Sequence, residues 1–159
     1  MNRNLKTGVI AAGAASIGVL LLFATVHGQM GMMHGRGMMG MSYVRHHYFM
    51  RHGVDRRYAS KVNPLRPTAE NLAEGKALYD QRCALCHGAK GLGNGPAAKG
   101  LNPPPADIAA LAGMPMATDG YLYWTIAEGG VPLGTPMPPF KDTLKEDQIW
   151  KIILYIREL

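Results

Sequence analysis

Apolar positions recur with a period near 3.6 in three stretches of residues 68–159, and each stretch carries its own start or stop signal. In the first, Leu72, Gly75, Tyr79 and Cys83 share one face at i, i+3, i+7 and i+11, and Thr68 stands where an N-cap belongs. The second begins near Thr118-Asp119, runs through Tyr121, Leu122, Trp124, Thr125 and Ile126, and stops at Gly129-Gly130. The third opens on Thr143-Leu144-Lys145-Glu146, which has the pattern of a capping box, and places Ile149, Ile152, Ile153 and Ile156 on one stripe. Gly/Pro-rich loops separate the three, and nothing alternates well enough to predict a strand. The expected class is all-α, three to four helices with long loops. Over so short a stretch that is a thin core unless something else fills it.

Upstream the pattern changes twice. Arg3 and Lys6 precede an uncharged apolar run from Gly8 to Val26. At about 1.5 Å per residue, that run nearly spans a ~30 Å hydrocarbon core. Residues 1–28 therefore read either as a signal peptide cut after Gly28 or as an uncleaved transmembrane anchor. Val26-His27-Gly28 is a poor cleavage site, and the charges before the run place its start in the cytoplasm. Both readings deliver the remainder to the periplasmic side of a bacterial inner membrane, anchored there or secreted. Residues 29–67 keep no sustained period. Met30–Met41 is low-complexity and glycine-rich, which predicts a flexible linker. The aromatic residues that follow, Tyr43, Tyr48 and Phe49, suggest some packing onto a domain at 68–159, and Asn63-Pro64-Leu65-Arg66-Pro67 reads as a turn that ends the linker.

The formal charge of +6 invites a nucleic-acid reading until its distribution is considered. Residues 1–63 carry eight basic side chains and one acid, Asp55, whereas residues 64–159 carry nine basic and ten acidic ones. The globular part is near neutral and offers no basic stripe, so a nucleic-acid partner is not expected.

The chemistry sits at Cys83-Ala84-Leu85-Cys86-His87. Two thiols three residues apart at the end of a helix can each form a thioether to one vinyl group of a haem, and the next histidine is then held under the iron. A thioredoxin-type dithiol would want a βαβ setting, which is absent. A four-coordinate zinc site would need further ligands, and the chain has only these two cysteines. One covalent haem c is the expected cofactor. It would also supply the missing core.

With this motif in place, residues 68–159 resemble the class I cytochrome c family. The family's helix before the haem motif carries a Gly-x-x-x-aromatic pair, matched by Gly75 and Tyr79, where a C-terminal helix crosses closely; Trp150, Leu154 and Tyr155 are the candidates on that helix. The resemblance also implies a proline carbonyl that accepts the second N–H of the proximal histidine. Pro96 matches by its distance from His87, with Pro103, Pro104 and Pro105 as the alternative wall. It further implies a distal methionine in a Met-Pro-Pro loop before the last helix, matched by Met137 in Gly134-Thr135-Pro136-Met137-Pro138-Pro139-Phe140. Flanking prolines hold such a loop extended and rigid, so a thioether there is presented at little entropic cost. Met114 and Met116 are the competing thioethers, with packing at the haem edge as their plainer role. Tyr121, Tyr123 and Trp124 can reach a haem propionate, although core packing is the plainer account of them.

A His87/Met137 pair fills both axial positions, so the expected function is single-electron transfer between redox protein partners. The chain can equally be the haem subunit of a larger membrane oxidoreductase. A rival of another class is a haem-based sensor or peroxidase with an open sixth site; against it, His87 is the only histidine after residue 52. Seven methionines between 30 and 50, and five of the six histidines between 27 and 52, give the upstream segment the donor chemistry of a copper-binding tail. A flexible linker of biased composition is the plainer reading.

Overall fold

The computed structural model describes residues 43–159, all within one unit of the chain, Met32–Leu159. The apolar run 8–26, the cleavage or anchor segment and the Met30–Met41 stretch lie outside the described residues. Among the described residues the fold has six α-helices, one 3-10 turn and no strand. They are α1 (Tyr43–His52), α2 (Ala69–Arg82), α3 (Ala84–His87), α4 (Ile108–Ala112), α5 (Asp119–Glu128), the 3-10 turn Val131–Leu133 and α6 (Glu146–Ile156).

Local chemistry explains where the main helices begin. Thr68 caps α2, its hydroxyl accepting from Asn71 N–H at 3.2 Å, and Thr118 caps α5 in the same way through Tyr121 N–H. The third start falls later than the sequence pattern implies. Lys145 is the N-cap of α6, and Gln148 reaches back to the Lys145 N–H at 2.9 Å. Thr143 instead bonds the Phe140 carbonyl within the preceding turn, which removes it from the helix.

The main interface is the crossing of α2 on α6. At Gly75 the backbone of α2 lies directly against the Lys151 carbonyl, leaving no room for a Cβ. One turn further on, Tyr79 packs its ring 5.2 Å from that of Tyr155. The stripe Ile149, Ile152, Ile153 and Ile156 is buried as its period predicts, and Trp150 and Leu154 on the other side of α6 are buried as well.

That second face is buried because the chain upstream of Thr68 covers it. Tyr58 stacks on Tyr123 at 5.7 Å, Tyr123 meets Trp150 at 4.5 Å, and Asn63 donates to the Trp150 carbonyl. Residues 43–52, expected to belong to an irregular linker, form helix α1. Phe49 lies edge-on to Tyr121 at 5.3 Å, and Tyr48 lies 5.9 Å from Trp124. The helix has no clean 3.6-residue stripe because its contacts are made by aromatic edges and by one arginine, which apolar periodicity does not register.

Candidate functional site

The two thiols and His87 occupy a single turn. Cys83 closes α2, its N–H bonded to the Tyr79 carbonyl at 2.8 Å, and α3 carries Cys86 and His87. The loop that follows is committed to this turn. Gly93 N–H donates to His87 O at 2.8 Å, Gly95 N–H to Cys86 O at 3.0 Å and Ala97 N–H to Leu85 O at 2.9 Å, so the open carbonyls of α3 are satisfied by backbone. Only glycine fits at 95, where a Cβ would strike the Ala84 and Leu85 carbonyls. Tyr79 adds a 2.8 Å bond from its buried hydroxyl to Gly88 O.

The turn forms one wall of a cavity of about 1040 Å³, counting its open mouth. Cys83, Cys86 and His87 line it from one segment, and Thr135, Pro136, Met137 and Pro138 from another. Ile108, Leu111, Leu122, Ile126, Phe140 and Ile156 supply apolar surface between them. The Met137 loop is tied down by its backbone: Gly130 N–H donates to Met137 O at 2.8 Å, and Thr135 N–H to Gly130 O at 3.0 Å. Met114 and Met116 pack against the hydrophobic core and do not line the cavity. Of the three aromatics of α5, Tyr121 lines it, whereas Tyr123 and Trp124 face other partners.

His87 differs from expectation in its second bond. Its Nδ1 lies 2.9 Å from the Ala106 carbonyl, which accepts, and Pro96 plays no part. The loop before Pro96 is used up in capping α3, and Pro96 itself is exposed. The stretch Pro103-Pro104-Pro105 does form a wall of the cavity and carries Ala106 into place beside the imidazole. Burial lowers the His87 pKa and so keeps the ring neutral, as an iron ligand must be. Burial also pushes the Cys83 thiol up to about 12. Neither cysteine is in a disulfide.

Sequence reasoning missed two features of this site. One is the Ala106 carbonyl, a backbone atom that leaves no signature in residue type. The other is Arg45 of α1, which lines the cavity while only 5% exposed. The one hint of it was an arginine set among aromatics.

These features fit a covalent haem: a largely apolar cavity, two free thiols and an imidazole on one turn, and a thioether facing the same space. A Cys-x-x-Cys-His turn in this all-helical fold defines a c-type cytochrome domain. Residues 70–156 match the family described as cytochrome C oxidase, cbb3-type, subunit III, and the chain belongs to that family of c-type cytochrome domains. Among solved structures it is similar to a chain of the Kuenenia stuttgartiensis reducing HAO-like protein complex, with 31% identity and a TM-score of 0.50. The match covers 60% of this chain and 46% of that one, so the likeness spans less than half of the neighbour. No curated protein sequence matches the chain significantly.

Proposed function

We propose that this protein is a single-electron carrier built around one c-type haem, attached through Cys83 and Cys86 and ligated by His87 and Met137. The observation that carries the reading is that a thioether and an imidazole from segments 50 residues apart face one cavity, each on a backbone fixed by hydrogen bonds. When bound, the haem supplies an iron that changes oxidation state by one electron. The protein's own residues do the rest. The Ala106 carbonyl holds the His87 tautomer and makes the imidazole more electron-rich. The Met137 loop presents sulfur on a rigid backbone, and the apolar walls exclude water. Among the described residues, the cavity lining has no carboxylate and no second imidazole, so it offers no acid/base pair of the kind peroxide chemistry requires.

Residues 8–26 would place this domain on the periplasmic side of a bacterial inner membrane, with redox proteins as its partners. A second reading, as the haem subunit of a larger oxidoreductase, is favoured by the solved neighbour, which belongs to a named complex. The size of the native assembly in mild detergent separates a free carrier from a subunit.

The oxidised optical spectrum of the haem-loaded protein, beside that of Met137→Ala, tests the ligation. A far-red sulfur–iron band that vanishes in the variant is the expected result. A wild-type iron that is high-spin and binds carbon monoxide readily would overturn the carrier reading in favour of a sensor or peroxidase.

A further inference from the structure

Arg45 belongs to α1, outside the family-matched span 70–156, yet it lines the cavity. Two contacts aim its guanidinium. Nη2 donates to the Gly129 carbonyl, and Cζ lies 4.6 Å from the centroid of the Trp124 ring. Nη1 is buried with no partner. A buried guanidinium nitrogen left unanswered is strongly disfavoured, and burial indeed pulls the Arg45 pKa down. No described Asp or Glu lines the cavity to answer it. Glu128, next in sequence to Gly129, is already engaged by Tyr58, Lys141 and Arg57.

We propose that Arg45 is a binding residue for a haem carboxylate, with its Nη1 donating to a propionate of the haem held by Cys83 and Cys86. The inference rests on the haem reading of the cavity. The propionates are the only anionic substituents of that group, and they stand on the edge of the porphyrin away from the vinyl positions that form the thioethers. Arg82 is the other arginine of the lining, but it directly precedes Cys83 and is exposed, which assigns it to the thioether side. Arg45 enters from α1 and the C-terminal end of α5, with its guanidinium held by the indole face and a carbonyl. An ionised propionate beside it gains a charge-assisted bond in a cavity with little water to compete. The propionate then stays ionised as pH changes, and the reduction potential is insulated from that proton.

The haem-loaded full chain carries the test. In the reduced protein, nuclear Overhauser contacts are expected between the Arg45 guanidinium protons and the propionate methylenes. In R45Q the propionate's proton affinity rises about tenfold or more, and the potential–pH profile gains a step that wild type lacks; R45K restores the flat profile. A purely structural role for Arg45 would lower stability in both variants but add no titration step to either profile. If R45Q does not fold, the wild-type contacts decide alone. Covalent haem without those contacts, or an R45Q profile that overlays wild type, overturns the inference while sparing the haem reading. A chain that attaches no haem at all overturns both.

Discussion

Replacing Gly75 with alanine sets two effects of opposite sign against each other. Gly75 lies inside α2, where alanine is the better helix former by about 1 kcal/mol. Propensity alone therefore predicts a stabilised protein. The added Cβ, however, would fall on the Lys151 carbonyl of α6, a backbone atom that cannot swing away, and 3.2 Å from Tyr155 Cβ. Restoring an ordinary contact distance means parting the helices by about 1 Å, which forfeits roughly a quarter to a half of each dispersion contact across the crossing. With on the order of 30 heavy-atom pairs at ~0.15 kcal/mol each, the loss is about 1–2 kcal/mol. The displaced Lys151 carbonyl brings the total to the upper end of the ~1–3 kcal/mol seen for overpacking. The net expectation is destabilisation by about 1–2 kcal/mol, which lowers the melting temperature by roughly 2–8 °C. Urea unfolding of the haem-loaded protein, followed by far-ultraviolet circular dichroism and by the Soret band, measures it, with coincident transitions required. Serine and valine at 75 should be worse in that order. A G75A protein as stable as wild type, or more so, refutes the close crossing.

Tyr79→Phe removes the 2.8 Å bond to Gly88 O, keeps the ring on Tyr155 and is expected to cost about 1 kcal/mol in the same unfolding assay. Glu128 gives a pH signature. Its pKa is depressed below 4.5, first by the Lys141 hydrogen bond and then by that of Tyr58, so its contribution is full above the unfolded value and fades as pH falls through the folded one. E128Q should therefore be less stable than wild type at neutral pH, and the two curves should converge in acid; urea midpoints across pH 3–7 would show whether they do. Phe49→Ala should destabilise the protein by about 1–3 kcal/mol, because it strips the edge contact of α1 on Tyr121. An unchanged midpoint would mean that α1 contributes little to the fold.

The helices that hold the turn were legible because their information is side-chain information. The 3.6-residue stripe of Ile149 to Ile156, the hydroxyl caps at Thr68 and Thr118 and the glycine stop at 129 all act through residue type. The cavity-lining Cys83, Cys86, His87 and Met137 were legible for the same reason. What escaped acts through backbone or through single long side chains. The bonds from Gly93 and to Ala106 use backbone N–H and carbonyl groups that nearly every residue carries, so Pro96 was a reasonable but wrong choice of partner for His87. Helix α1 escaped because ten residues rich in His, Arg and Tyr show no apolar stripe, and its burial comes from aromatic edges meeting Tyr121 and Trp124. The shifted start of α6 has a similar origin, since Thr143 found a closer partner in the Phe140 carbonyl.

The cover that residues 43–67 lay over α5 and α6 bears on any attempt to transplant this domain. An excision at the family boundary, near residue 70, would cut away Tyr58 from Tyr123, Asn63 from the Trp150 carbonyl, and Arg45 from Gly129. The excised piece would keep its thiols, imidazole and thioether but present a bare aromatic flank, suited to sticking to other copies. A chimaera that grafts the domain onto another carrier should therefore take Tyr43 onward as its unit of exchange. Variation among relatives should likewise link the face of α5 to whatever segment precedes the domain, because in this chain the two are halves of one surface.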